Sequence, residues 1–309
     1  MQNKNFDFIK NRKYFLIAYI AIILVGAVVF AIFGANLSID FKGGTMFSYS
    51  FTGEIDLNKA ESVITKTLGK DVSVTESAGY NTDSKNLVVS LVADESVSAD
   101  LQAKMLEALK KEFKDNKLEI GDSNSVSPTV AGTFFLKCFV AVLIAAILVI
   151  IYVGVRFRKI GGVSAGMFAL FALLLDCLIA FCASVFLRLE IDSNFMSVIL
   201  TILGYSLNDT IVIYDRLREN TKMYPHMSFR DRVNNSINQT LGRTIKTSVA
   251  TLAAILTVII VAEINGLTTL RSFAIPMAFG IVSGSISTIT LSCPLWYSFQ
   301  TRKELKKAK

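Results

Sequence analysis

Long apolar runs alternate with polar ones along the chain, and six apolar runs have the length of a membrane-crossing helix. They are Tyr14–Gly34, Phe134–Val153, Val163–Leu187, Phe195–Tyr214, Thr247–Ala262 with an extension back toward Arg243, and Phe273–Phe299. The first run is too long for the core of a cleaved signal peptide and lacks an obvious small-residue cleavage site, so it reads as a retained anchor. Residues 35–133, between the first two runs, follow shorter periods. Thr45–Phe51 alternates as a strand, Leu57–Leu68 has helical spacing, and Asp71–Glu76 and Asn86–Val92 read as strands. Ser98–Phe113 carries Leu101, Met105, Leu106, Leu109 and Phe113 on one helical face, with Ser98 as its cap. Lys117–Gly121 supplies a last short strand. The order β-α-β-β-α-β is the split βαβ, ferredoxin-like arrangement.

The expected fold is therefore an α-helical polytopic membrane protein with six spans and one α+β ferredoxin-like domain between spans 1 and 2. Its parts are a short N-terminus (1–13), the first span (14–34), the extracytoplasmic domain (35–133), the remaining spans with short loops (134–299) and a basic tail (300–309). Composition supports that class: 52% of the 309 residues are hydrophobic and only 18% are charged. The formal net charge of +7 raises the question of nucleic acid, but the distribution of the basic residues argues for topology instead. Lys4, Lys10, Arg12 and Lys13 precede the first span. Arg156, Arg158 and Lys159 fill the next loop on that side, Arg216, Arg218, Lys222, Arg230 and Arg232 occupy a longer loop, and Arg302, Lys303, Lys306, Lys307 and Lys309 close the chain. The positive-inside rule then makes both termini cytoplasmic.

Candidate chemistry is confined to polar residues inside the spans. Cys138, Cys177, Cys182 and Cys293 all lie in apolar runs, and the one histidine, His226, is in a polar loop, so neither a disulfide framework nor a metal site is expected. No cofactor is expected, and the extracytoplasmic domain reads as a docking module. Gly204-Tyr205-Ser206-Leu207-Asn208-Asp209-Thr210 is a polar patch within the fourth span. A carboxylate at such depth usually faces a bundle interior and handles ions or protons. Asp209 stands about fourteen residues from the outer end of its span, which at roughly 1.5 Å per residue puts it in the cytoplasmic third of the hydrocarbon. Arg243, at the start of the fifth span, falls at similar depth and is its natural ion partner, with Thr247 and Thr251 continuing that face. Asp176 is a third buried charge, near the middle of the third span.

Two readings compete for these residues: a polar clamp that holds helices together, and an ion path, with a proton relay as the preferred form. Protonating Asp209 releases Arg243, which biases two packings of the bundle. In the last span Gly280 and Gly284 form a small-xxx-small packing face continued by Ser285, Ser287 and Thr288, and Pro276 and Pro294 mark kinks or ends. Asp40-Phe41-Lys42-Gly43-Gly44-Thr45, after the first span, reads as a turn with flexible glycines and lacks the spacing of a phosphate loop.

These motifs resemble those of the SecD/SecF family of the bacterial Sec export machinery, and its SecF branch in particular. Ile39-Asp40-Phe41-Lys42-Gly43-Gly44-Thr45 looks like the signature that opens the exported domain in that family. Gly204 through Val212, running on through Asp215-Arg216-Leu217-Arg218-Glu219-Asn220, looks like its fourth-span signature. Arg243-Thr244-Ile245-Lys246-Thr247-Ser248 is similar to the start of its fifth span, and Tyr152–Phe157 and Gly284–Ser287 also fit. The resemblance implies a half-transporter of the RND superfamily that pairs with SecD and uses the proton gradient to help draw preproteins out of the SecYEG channel. YajC, the translocating preprotein and membrane lipid complete the implied partners, and the implied location is the bacterial cytoplasmic membrane. Asp209 matches the family's proton-path aspartate and Arg243 its arginine. Leu175 stands where the family often has a histidine before the third-span aspartate, which separates Asp176 from any histidine-assisted relay.

Three other readings remain at this stage. An intramembrane aspartyl protease needs Asp176 as the second catalytic aspartate beside Asp209, but the glycine next to the catalytic aspartate is missing. A stand-alone small-molecule exporter of the same superfamily needs a homodimer. A structural scaffold predicts that neutralising Asp209 changes assembly more than activity.

Overall fold

The computed structural model describes residues 6–69, 72–78, 84–91, 99–114, 116–126, 128–265 and 267–307. Helix α1 (Phe8–Phe33) starts where the Asp7 carboxylate accepts from the Lys10 amide at 2.9 Å, and it ends at Gly34, whose φ is 67°. A single turn, α2 (Ile39–Lys42), leads into β1 (Gly44–Thr52). Then follow α3 (Leu57–Leu68), β2 (Val72–Ala78), β3 (Ser84–Leu91), α4 (Ala99–Glu112) and β4 (Glu119–Val126).

The sheet order is β2-β3-β1-β4 and every neighbouring pair is antiparallel, the ferredoxin-like topology expected from the pattern. Alternation explains its core. Phe47, Tyr49 and Phe51 of β1 and Leu87, Val89 and Leu91 of β3 turn the same face inward, onto Ala60 and Ile64 of α3 and Met105 and Leu109 of α4. Asp56 caps α3 by accepting from the amides of Asn58 and Lys59 at 3.0 and 3.3 Å, and Gly69 closes it in the left-handed region. The last strand begins two residues later than the pattern suggests. Lys117 takes a positive φ, and Asn116 is tied by its side-chain amide to the carbonyls of Thr52 and Glu54 at 2.8 and 3.0 Å. The expected strand positions Asp71 and Val92 and the expected cap Ser98 lie outside the described residues.

Six helical segments are long and apolar enough to cross a membrane. After α1 they are α5 (Pro128–Arg156), α6 (Gly162–Phe186), α7 (Ser193–Met223), α8 (Phe229–Ile264), and a last span made of α9 (Thr268–Ser287), a π-helical turn at Thr288–Ser292 and α10 (Cys293–Lys307). The last span is the central one: it packs against α6, α7 and α8, whereas α1 and α5 turn rows of Ile, Leu, Val and Phe outward. Its Pro276 is absorbed within α9, and Pro294 follows the π turn. Proline offers no N–H to the preceding turn, and the wider π turn is one way a helix accommodates that loss.

One sequence expectation is corrected here. The basic stretch between the fourth and fifth spans is not a long loop. Helices α7 and α8 both run well past the apolar segments and meet in a short connection around Tyr224–Ser228. The polar extensions hold each other. Asn220 donates to Ser236 Oγ at 2.8 Å and to Gln239 Oε1 at 2.9 Å, while Arg216 pairs with Glu219 and Arg218 with Asp215 one turn away. Side-chain pairs at these spacings let a helix persist without an apolar stripe.

Candidate ion-coupling site

Asp176, on α6, is fully buried. Three hydroxyls converge on its carboxylate: Ser283 Oγ donates to Oδ1 at 2.7 Å, and Ser206 Oγ and Ser287 Oγ each donate to Oδ2 at 2.9 Å. Ser206 comes from α7 and the other two from α9, so one carboxylate ties three spans. A fourth joins through Tyr19 of α1, whose hydroxyl donates to the Ser283 carbonyl at 2.8 Å and lies 3.2 Å from Ser283 Oγ. Small residues make this possible. A Cβ on Gly284 would come within 2.9 Å of Ser206 Cβ, and one on Gly280 would run into Ile202 of α7. Glycine at both positions lets α9 approach α7 closely enough for hydroxyls to reach across.

From Asp176 a seam of hydroxyls continues along the α7–α9 contact. Thr288 Oγ1 lies 3.4 Å from both Ser206 Oγ and Thr210 Oγ1, and Thr210 also donates to the Ser206 carbonyl at 3.2 Å. Thr288 opens the π turn, so the irregular helix and the seam coincide. Thr210 is adjacent in the chain to Asp209. A second hydroxyl group lies to the side, where Ser285 donates to Ser248 Oγ at 2.6 Å and the Tyr205 hydroxyl reaches the same oxygen at 3.4 Å.

Asp209 differs sharply. It is 4% exposed, yet its Oδ2 has no hydrogen-bond partner among the described residues. Arg243 is near enough for its charge to be felt there, but no ion pair within 4.0 Å joins the two. The expected direct pairing is thus not made in this conformation. Arg243 instead stands exposed on α8, beside Thr244, whose buried Oγ1 is also unpartnered. Thr247 and Thr251 spend their hydroxyls on carbonyls of their own helix, Thr247 on Arg243 O at 3.0 Å. Gly204 and Asn208 face outward on α7. Asn208, Arg243 and Thr247 are thus all exposed.

The segment after the first span forms a separate joint. Ser38 caps the α2 turn, the Gly43 amide returns to the Ile39 carbonyl at 2.8 Å, and Gly43 and Gly44 take φ of 75° and 142°. A Cβ on Gly44 would collide with the Leu91 carbonyl of β3, so this position needs both the conformation and the absent side chain. Lys42 closes the turn, and the Phe41 ring lies 5.7 Å from Phe134 and 6.0 Å from Phe135 of α5. Asp40 Oδ2 accepts from the Ser193 amide at 3.2 Å, at the N-terminus of α7. Backbone bonds from Ser38 N to Ile191 O (3.0 Å) and Ile191 N to Asn36 O (2.8 Å) complete the joint. Glu190 in the same place is pushed upward from the ordinary carboxyl range, first by burial and then by the charges of Asp192 and Asp40, against a Ser38 hydrogen bond.

Sequence reasoning missed Ser283 and Tyr19, and it missed that Asp40 reaches Ser193. A tyrosine in the interior of an apolar run was the available signal for Tyr19. No signal in a single sequence pairs residues 153 positions apart. The protease geometry is absent among the described residues: both oxygens of Asp176 are bonded to serines, and no hydrogen bond joins it to Asp209.

Residues 105–302 match the family described as "Protein export membrane protein SecD/SecF, C-terminal", a stretch that takes in Asp176, Asp209, Arg243 and the last span. Residues 28–54 match the "SecD/SecF GG Motif", which takes in Asp40–Gly44. The chain belongs to the SecD/SecF family of protein export membrane proteins. It is 32% identical over 306 residues to the protein translocase subunit SecF of Alicyclobacillus acidocaldarius, covering 98% of this chain and 95% of that one. It is 31% identical to the protein translocase subunit SecDF of Bacillus subtilis, covering 98% of this chain but 39% of the relative. The crystal structure of SecDF from Thermus thermophilus, a translocon-associated membrane protein, superposes with a TM-score of 0.80 at 28% identity, over 97% of this chain and 39% of that one.

Proposed function

We propose that this chain is a SecF-type subunit of the preprotein translocase. It pairs with SecD, uses the proton gradient to assist export through SecYEG, works with YajC, and carries out no catalysis of its own. Support for the pairing comes from the SecDF relatives, of whose length this chain spans 39%. The basic end of the bundle lies in the cytoplasm with both termini, and the ferredoxin-like domain lies outside the bacterial cytoplasmic membrane.

One observation carries the coupling role: a buried carboxylate oxygen, Asp209 Oδ2, with no hydrogen-bond donor among the described residues, close to a guanidinium, Arg243, with no ion pair among them. An ionised carboxylate in a low-dielectric interior demands donors or a countercharge. Asp209 lacks direct contact with either, so a proton or the approach of Arg243 must neutralise it. These two solutions correspond to two packings of α7 against α8, and a proton gradient that alternates them moves helices. Asp176, saturated by serine donors, is the fixed point about which that exchange occurs, with Ser206, Thr288 and Thr210 joining the two.

The test is gradient-dependent preprotein export by wild type, Asp209→Asn and Arg243→Met, each first checked for co-purification with SecD. Assembly with loss of the gradient-dependent component supports the coupling role. Normal export by both assembled variants reduces these residues to a packing clamp.

A further inference from the structure

At the basic end of the bundle the chain builds a recess that the coupling argument does not use. The segment before α1 is strapped onto the polar surface of α8. The amides of Phe6 and Phe8 donate to Asn238 Oδ1 and Asn234 Oδ1, both at 3.1 Å, and the side-chain amides of those asparagines return to the Phe6 carbonyl at 3.0 and 3.1 Å. Next to this strap, between the start of α1, the start of α8 and α10, lies a cavity of about 260 Å³. Its lining includes four cations, Lys10, Arg12, Arg230 and Arg302, from three different segments of chain.

Only part of that charge is answered. Arg230 is paired with Asp7, and Arg12 spends one N–H on the Ile9 carbonyl at 2.7 Å. Neither Lys10 nor Arg302 has an acidic partner among the described residues. Gathering cations around one small volume is unfavourable unless an anion occupies it. The floor and wall are fixed rather than adaptable: Ile9 is buried, and the Tyr297 ring, also in the lining, lies 5.4 Å from that of Phe229. One and two turns along α1 from Lys10, on the same helical face, Tyr14 and Ile17 turn outward with 74% and 63% of their surface exposed, where acyl chains lie in a bilayer. An anion with apolar tails satisfies both surfaces at once, and a free phosphate satisfies one.

The geometry points to a binding site for the phosphate headgroup of an anionic phospholipid, held by Lys10, Arg12 and Arg302, with its acyl chains along Tyr14 and Ile17. The lipid locks the N-terminal strap and the last span together at the end of the bundle where basic residues collect. Basic recesses between spans on that side of a membrane bind such headgroups.

The experiment uses the full chain in phosphatidylcholine nanodiscs titrated with phosphatidylglycerol, with retained lipid counted by native mass spectrometry. Lys10→Gln with Arg302→Gln is expected to weaken phosphatidylglycerol retention by roughly 10- to 30-fold. Arg158→Gln with Lys222→Gln, two basic residues at the same end but outside the recess, is expected to leave it within about twofold. Lys10→Arg with Arg302→Lys, which keeps the charge, restores retention and excludes misfolding as the cause. Equal losses in the two glutamine pairs, no loss in the first pair, or displacement of the lipid by inorganic phosphate alone would overturn the assignment.

Discussion

Asp176 and Asp209 are both carboxylates buried in the same bundle, on neighbouring helices, and they are treated in opposite ways. Asp176 accepts from three serines on two other spans and is tied through Ser283 to a tyrosine on a fourth. Asp209 has an oxygen with no donor among the described residues and an arginine that is near but unpaired there. Three converging donors tie Asp176 to two other spans, so its side chain is fixed in place. Asp209 has no such ties at Oδ2 among the described residues. Burial alone therefore does not tell the two apart; the surrounding donors do.

The comparison breaks most visibly in export. Asp209→Asn should remove the whole gradient-dependent component of preprotein export while the protein still assembles with SecD. Asp176→Ala should instead show itself in stability. It removes three serine hydrogen bonds, and at ~0.6 kcal/mol per membrane hydrogen bond the loss is about 2 kcal/mol. Unfolding in detergent checks it, and an equal loss from Asp209→Ala would erase the distinction. Next in size is Asp40→Ala, which takes a carboxylate from the N-terminus of the helix that bears Asp209. Loss of such a cap costs about 1 kcal/mol, read as faster hydrogen exchange in the first turn of α7.

The smallest effect concerns acidity outside the membrane. The folded chain raises the Glu190 carboxyl above its ordinary 4.5, so between the unfolded and folded values the native state binds more protons than the unfolded one. Stability then falls as pH rises through that window, and this contribution is fully present only below about 4.5. Glu190→Gln should flatten this slope in unfolding measured against pH. An unchanged slope would mean that the joint is insensitive to its acidic residues.

How legible the molecule was depends on the range of the interactions involved. The spans and the ferredoxin-like order follow from local period and were readable, because burial of one helix or strand face imposes its own repeat. Leu57–Leu68 came out to the residue, since Asp56 and Gly69 are start and stop signals that act within one turn. The helical extension through Arg216–Glu219 was read as loop because its support is polar and lies in part on another helix. At the site, Asp176, Asp209 and Arg243 were conspicuous as charges in apolar runs. Ser283 was not, because a serine in a membrane helix commonly bonds its own backbone, and only the fold reveals that this one turns to a carboxylate 107 residues away. The π turn was also invisible, since Pro294 announces an irregularity without saying which kind.

The hydrogen bond from Ser193 to Asp40 has a mechanical meaning. Ser193 and Asp209 stand at two points on one uninterrupted helix, 16 residues or about 24 Å apart along its axis. An α-helix is stiff along that axis, so it acts as a push-rod. The root of the ferredoxin-like domain grips one end, and Asp209 sits toward the other. A change of charge at Asp209 that shifts the rod shifts the ground on which the domain stands, without any signal having to pass through the domain's own core.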